Sequence, residues 1–163
     1  MLYGILAAVS ALIVAVDQIS KYLVVKHIGL YDTIPVWDKV FHLTYLQNTG
    51  MGFSLLEGYR WFFIVLTFAA LGLMVFAVKK NWITHPTGLW ALSFIAGGAL
   101  GNLIDRIRLG YVVDMICVEF IDFPVFNIAD SFVVCGAILL VIYTFFFDKP
   151  KKEKSDETDA GQE

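Results

Sequence analysis

Four stretches of this 163-residue sequence, at roughly residues 4–25, 60–78, 87–107 and 127–147, are long and apolar enough to cross a bilayer as helices. Hydrocarbon offers the backbone no hydrogen-bond partners, so a spanning segment must satisfy its own amides, and about 20 helical residues do so. With 58% hydrophobic and 17% charged residues, the chain is too apolar for a soluble domain of its length. Trp37, Trp61, Trp82 and Trp90 fall close to the expected span ends, where amphipathic rings favour the membrane-water interface. The first stretch lacks the basic n-region and small-residue cleavage site of a signal peptide and carries Asp17 and Lys21, so it is expected to stay attached.

Lys79 and Lys80 lie between the second and third spans, and Lys149, Lys151, Lys152 and Lys154 follow the fourth. The positive-inside tendency puts these segments and both termini in the cytoplasm. The loops at roughly 26–59 and 108–126 then face outside as an extracytoplasmic cap. In the first, Phe41 to Leu46 is rich in aromatic and β-favouring residues, and Asn48-Thr49-Gly50-Met51-Gly52 reads as a turn, so a small sheet at the membrane surface is expected. The expected fold class is an all-α integral membrane protein of four transmembrane helices with a small β-rich extracytoplasmic cradle. Residues 1–148 form its single domain, and residues 149–163 are a charged, disordered cytoplasmic tail.

A net charge of −3 gives no basic surface for nucleic acid. His27, His42 and His85 are scattered, and Cys117 and Cys135 lack metal-ligand spacing, so neither a metal nor another cofactor is expected; the two cysteines read as small apolar packing residues. There is no internal repeat of the kind that marks inverted-repeat transporters.

Charges and amides in or beside a span need a partner, a wet cavity or a function. Asp17 and Lys21 stand i,i+4 on the first helix in the favourable order for an ion pair, and a mutually neutralised structural pair is the simplest reading. On the third helix Gly98, Asn102 and Arg106 recur every four residues as one stripe ending at the outer surface. Gly97 and Gly101 form a GxxxG, read as close helix packing. Asp105, one residue off the stripe, is left as structural. Asn127 and Asp130 share a face in the first outer turn of the fourth helix, where a carboxylate also stabilises a helix N-terminus. Asp114 lies in the segment between the outer ends of helices three and four, so the chain can bring it back toward Asp130.

Two carboxylates that meet cannot both ionise cheaply, so one keeps its proton while the other acts as a base. The base activates water and the acid protonates a carbonyl oxygen, which hydrolyses peptide bonds without a metal or a covalent intermediate. No HExxH, GxSxG or nucleophile-base pair competes with this arrangement.

The sequence resembles the lipoprotein signal peptidase family, also called signal peptidase II, over nearly its whole length up to the tail. The resemblance rests on Asp17-Gln18-Ile19-Ser20-Lys21, on Gln47 to Ser54, on Gly101-Asn102-Leu103-Ile104-Asp105-Arg106, on Val112-Val113-Asp114 and on Phe126-Asn127-Ile128-Ala129-Asp130. It implies an aspartic endopeptidase with Asp114 and Asp130 as the catalytic dyad. Asn48, Asn102, Arg106 and Asn127 would line the site and position substrate backbone or dyad, and Asp17 and Lys21 would support it; Gly98, on the stripe of Asn102 and Arg106, is expected to support the site as well. The implied substrates are prolipoproteins, cut just before a cysteine that already carries diacylglycerol. The resemblance also implies a lipid-binding groove, inhibition by globomycin-type compounds and a home in the bacterial inner membrane; a monomer is expected. Gln47 stands where the family commonly has Arg, Met51 and Gly52 where alanines are usual, and Met115 where Phe is usual. These departures bear on cradle shape, hence on substrate preference or inhibitor affinity.

The competing class is an ion- or proton-coupled transporter, because intramembrane Asp, Lys and Arg also mark ion pathways. Transport sites usually lie near the bilayer midplane, whereas here the polar groups gather toward one surface. A noncatalytic scaffold is the third class, and it requires neither Asp114 nor Asp130.

Overall fold

The computed structural model describes residues 2–50 and 56–148; Met51 and Gly52 of the expected turn, and the tail at 149–163, lie outside the described residues. The elements run α1 (Leu2–His27), β1 (Thr33–Trp37), β2 (Phe41–Asn48), α2 (Arg60–Lys79), α3 (Pro86–Arg108), β3 (Val112–Val118) and α4 (Ile128–Phe146). All four helices are long and apolar enough to cross a membrane, and the chain is a multi-pass membrane protein.

The bundle is organised around α3, which packs against α4, α1 and α2. Lipid tails are as apolar as leucine, so tight contact between spans depends on small residues that let backbones approach. Gly98 faces the Ala129 carbonyl and Val133 of α4, while Gly136 of α4 faces the Ala91 carbonyl and Ile95 of α3. Gly97 sits on Ile13 of α1, and Gly101 sits on Asp17 and Ala129. Along α1 the buried residues Leu6, Ile13, Asp17, Lys21 and Val24 recur at helical spacing, so a single stripe carries both its apolar and its charged contacts with the bundle. By contrast, α2 buries only Phe63, Ile64 and Ala77 among its residues and turns most of its apolar surface outward, as do the outer faces of α1 and α4. Trp61, in the first turn of α2, and Trp82, just beyond its end, are exposed.

Helix starts follow local chemistry. Before α3, His85 accepts a hydrogen bond from the Thr87 N–H, with Pro86 at the first helical position. Before α4, Asn127 and Asp130 form a reciprocal capping box, an arrangement in which the cap residue alone contributes about 1 kcal/mol.

The three strands form one antiparallel sheet in the order β1-β2-β3. Between β2 and β3, Asn48 pairs with Val112 and Leu46 with Asp114, with a register shift between Leu43 and Leu46. Val24 and Ile28 pack with Tyr45, Val113 and Met115, which seats the sheet over the C-terminal end of α1. Gly110, at φ 90°, turns the chain out of α3 into β3. The N–H groups of Met115 and Ile116 both donate to the Phe126 carbonyl, which brings the start of α4 back beside β3.

The sheet expected in the first loop is present, but β3 was expected only as a structured connection. Val112, Val113, Asp114 and Met115 are all buried, so this strand lacks the alternation that would reveal it. Cys135 also departs from expectation: it is exposed on α4, because the closely packed face of that helix belongs to Gly136 and Ala129.

Candidate active site

Asp114 comes from the middle of β3 and Asp130 from the first turn of α4. Each carboxylate is held through both oxygens. Asp114 accepts from Asn48 Nδ2 at 2.8 Å and from Asn127 Nδ2 at 2.7 Å. Asp130 accepts from Asn102 Nδ2 at 2.7 Å and from the Asn127 backbone N–H at 3.1 Å. Asn127 is therefore the link: its side-chain oxygen caps α4 by accepting from the Asp130 N–H at 3.0 Å, and its amide protons go to Asp114 and to Asn102 Oδ1. Asn102 Oδ1 also accepts from Lys21 Nζ at 2.9 Å, so its Nδ2 must point to Asp130. Asn48 is fixed in turn by the Gly50 N–H, which donates to its Oδ1 at 2.9 Å.

Both acids line a cavity of about 360 Å³ walled by Phe63 of α2 and by Phe126. Arg106 borders the same cavity, but it pairs with no carboxylate among the described residues. Its guanidinium lies 4.9 Å from the Phe63 ring centre and donates to the Gly50 carbonyl. Asp114 is 3% exposed. Burial, followed by the Asp130 charge, pushes its carboxyl up to about 7, against the opposing pull of the hydrogen bonds from Asn48 and Asn127 and of the Lys21 charge. A carboxyl in that range holds its proton for part of the time near neutral pH, which suits a proton donor.

Asn48, Asn102, Arg106, Asn127, Asp114 and Asp130 thus converge on one place, with every one except Asn127 among the cavity-lining residues. Asp17 and Lys21 lie behind this group, paired at 2.9 Å and almost wholly buried. Gly98 does not reach the carboxylates; it lets α4 approach α3.

Of two further residues of the network, Gln18 was given no role from the sequence and Asp105 only a structural one. Asp105 bonds Lys21 at 2.9 Å, and Gln18 Nε2 donates to Asp105 Oδ1 at 2.8 Å. The signal for Asp105 was present: Gly97, Gly101 and Asp105 form a second four-residue stripe on α3, and the two glycines face α1, where Lys21 lies. Among the described residues no group of three His, Cys, Asp or Glu side chains is arranged to hold a metal ion.

A sequence profile of the family described as Signal peptidase (SPase) II matches residues 9–146. The chain belongs to the signal peptidase II family. Lipoprotein signal peptidases of Streptococcus pyogenes serotype M5 (strain Manfredo) and serotype M18 (strain MGAS8232) are each 46% identical to it over 135 residues, covering 80% of this chain and 86% of theirs. Two solved structures described as bacterial membrane enzymes share its fold. One has a TM-score of 0.85 at 33% identity, over 94% of this chain and 95% of the other. The second has 0.81 at 32% identity, over 90% and 95%. Signal peptidase II is an aspartic-type peptidase family, and these relatives lend the transporter alternative no support.

Proposed function

We propose that this chain removes signal peptides from diacylglyceryl-modified prolipoproteins by cutting just before the lipidated cysteine, with Asp114 and Asp130 as the catalytic dyad. The observation that carries this reading is the convergence of two carboxylates from separate elements on one cavity, each held by amide donors and linked through Asn127. In the active form of the pair Asp114 carries the proton and Asp130 is the base. Asp130 takes a proton from water as its oxygen attacks the scissile carbonyl, and Asp114 gives its proton to the carbonyl oxygen. When the tetrahedral intermediate collapses, the proton on Asp130 passes to the leaving amine and Asp114 recovers its own. Asn48 and Arg106, at the cavity wall, offer donors to the substrate backbone; Asn102 and Asn127 orient the dyad.

Residues 1–148 would act as one peptidase domain in the bacterial cytoplasmic membrane. Lys79, and Lys80 just beyond α2, lie at the end of the bundle opposite the sheet, which favours cytoplasmic termini with the cavity at the outer surface. A membrane-facing groove for the substrate's lipid, inhibition by globomycin-type compounds and a monomeric state belong to the same reading, supported by the sequence resemblance.

Purified protein in detergent is expected to cut a diacylglyceryl prolipoprotein, with mass spectrometry placing the new N-terminus at the lipidated cysteine and with EDTA leaving the rate unchanged. No cleavage, or loss in EDTA restored by zinc, overturns the reading.

The pH profile follows from Asp114. Since its protonated form is the active one, kcat/KM is expected to fall as pH rises through about 7. Asn48 donates to the ionised form and so lowers this value; Asn48→Ala is expected to move the alkaline limb to higher pH, whatever it does to the rate. A limb that stays in place assigns the proton to another group.

A further inference from the structure

Behind the dyad lies a cluster of charges that the proposed chemistry does not use. The Lys21 ammonium has three protons and three acceptors, Asp17 Oδ2, Asp105 Oδ2 and Asn102 Oδ1, all at 2.9 Å. Asp17 is 0% exposed, and Lys21 and Asp105 are each 3% exposed. A pair kept only for neutrality would need one acid, and the second buried acid adds a desolvation cost. Its other contact accounts for its presence.

Asp105 Oδ2 also accepts the Val113 N–H at 3.1 Å, and Asp17 Oδ1 accepts the Ala129 N–H at 3.0 Å. Val113 and Ala129 are the residues immediately before Asp114 and Asp130. The two acids therefore grip the backbone just upstream of each dyad member, Lys21 holds the acids to each other, and its third proton fixes the Asn102 amide that binds Asp130.

We infer that Asp17, Lys21 and Asp105 form a positioning clamp that sets the separation and aim of Asp114 and Asp130 through the Val113 and Ala129 amides. The inference rests on the hydrolytic reading above. None of the three touches the reacting atoms; they act through the backbone of β3 and α4. A displacement of about 1 Å at a reacting group costs on the order of 100-fold in rate, so the clamp acts on kcat more than on substrate binding.

Asp105 gives the most tractable test. Asp105→Ala removes the acceptor for Val113 yet leaves Asp17 and Lys21 as a one-to-one pair. The site borders an open cleft of about 150 Å³ lined by Gln18, Lys21, Asp105 and Val113, from which water can solvate the space left. Asp105→Asn keeps an oxygen where Oδ2 lies, as acceptor for Val113 and Lys21, and gives up only the bond from Gln18 Nε2, which retains the Gly101 carbonyl. With cleavage normalised to folded protein, Asp105→Ala is expected to lower kcat about 10- to 100-fold with KM within about twofold. Asp105→Asn is expected to recover kcat to within about fivefold of wild type, and Lys21→Met to behave like Asp105→Ala.

Folded Asp105→Ala with wild-type kcat and only a lower Tm overturns the clamp and leaves a structural charge cluster. So does Asp105→Asn as slow as Asp105→Ala. Should Lys21→Met fail to fold, the Asp105 pair decides alone. A wild type that never cuts fails the hydrolytic reading and the clamp together, whereas a wild type that cuts beside an unimpaired Asp105→Ala fails the clamp alone.

Discussion

Asp114→Asn and Asp130→Asn are each expected to lower cleavage of a diacylglyceryl prolipoprotein by about 1,000-fold or more while uncut substrate still co-purifies with the protein. A positioned acid or base contributes about 10² to 10⁴ in rate, and here the two act as one unit. The double variant is accordingly expected to be little worse than either single one, because removing one member already disables the pair. The asparagine variants must be compared at matched folding, for a reason visible in the network. Asn102 Oδ1 is committed to Lys21 and Asn127, so an asparagine at 130 sets its NH2 against the Asn102 Nδ2 donor or against the Asn127 N–H, losing the reciprocal half of the capping box while the Asn127 side chain still caps α4. That costs about 1 kcal/mol, a measurable fall in Tm but not unfolding. Normal cutting by both variants removes the dyad; loss of substrate capture together with activity points to a binding role instead.

The membrane architecture was legible because hydrocarbon imposes a simple rule: long apolar runs must be helices, and their observed ends fall within about two residues of the expected ones. Asn102 and Asp130 stood out for the same reason, as polar groups where lipid should be. What the sequence could not convey was direction. Asp105 looked off-stripe because the stripe was drawn through Asn102 and Arg106; a helix packed on two neighbours has two stripes, and only the packing says which partner each one meets. β3 was obscured by burial on both faces. Spacing put Asn127 and Asp130 on one face of α4 but did not show the link itself, in which the Asn127 side-chain oxygen caps the helix and its nitrogen serves Asp114.

The same substitution at two glycines is expected to change stability in opposite directions. A Cβ at Gly72 of α2 would meet nothing within 4 Å, so Gly72→Ala removes a helix-weakening residue and adds up to about 1 kcal/mol. A Cβ at Gly98 would collide with the Ala129 carbonyl oxygen and lie 2.8 Å from Val133 Cγ2. Val133 could turn aside, but a backbone oxygen cannot, so α4 itself must move. Gly98→Ala is therefore expected to cost about 1–3 kcal/mol or more, read as a Tm drop in detergent where Gly72→Ala shows none. Its effect on activity should exceed its effect on stability. Ala129 directly precedes Asp130, and its N–H is held by Asp17 of α1, which also packs on Gly101 of α3, so any retreat of α4 from α3 pulls against that hydrogen bond and shifts Asp130 relative to Asp114. Wild-type kcat in a destabilised Gly98→Ala would mean that the approach of α4 to α3 sets stability without setting the dyad.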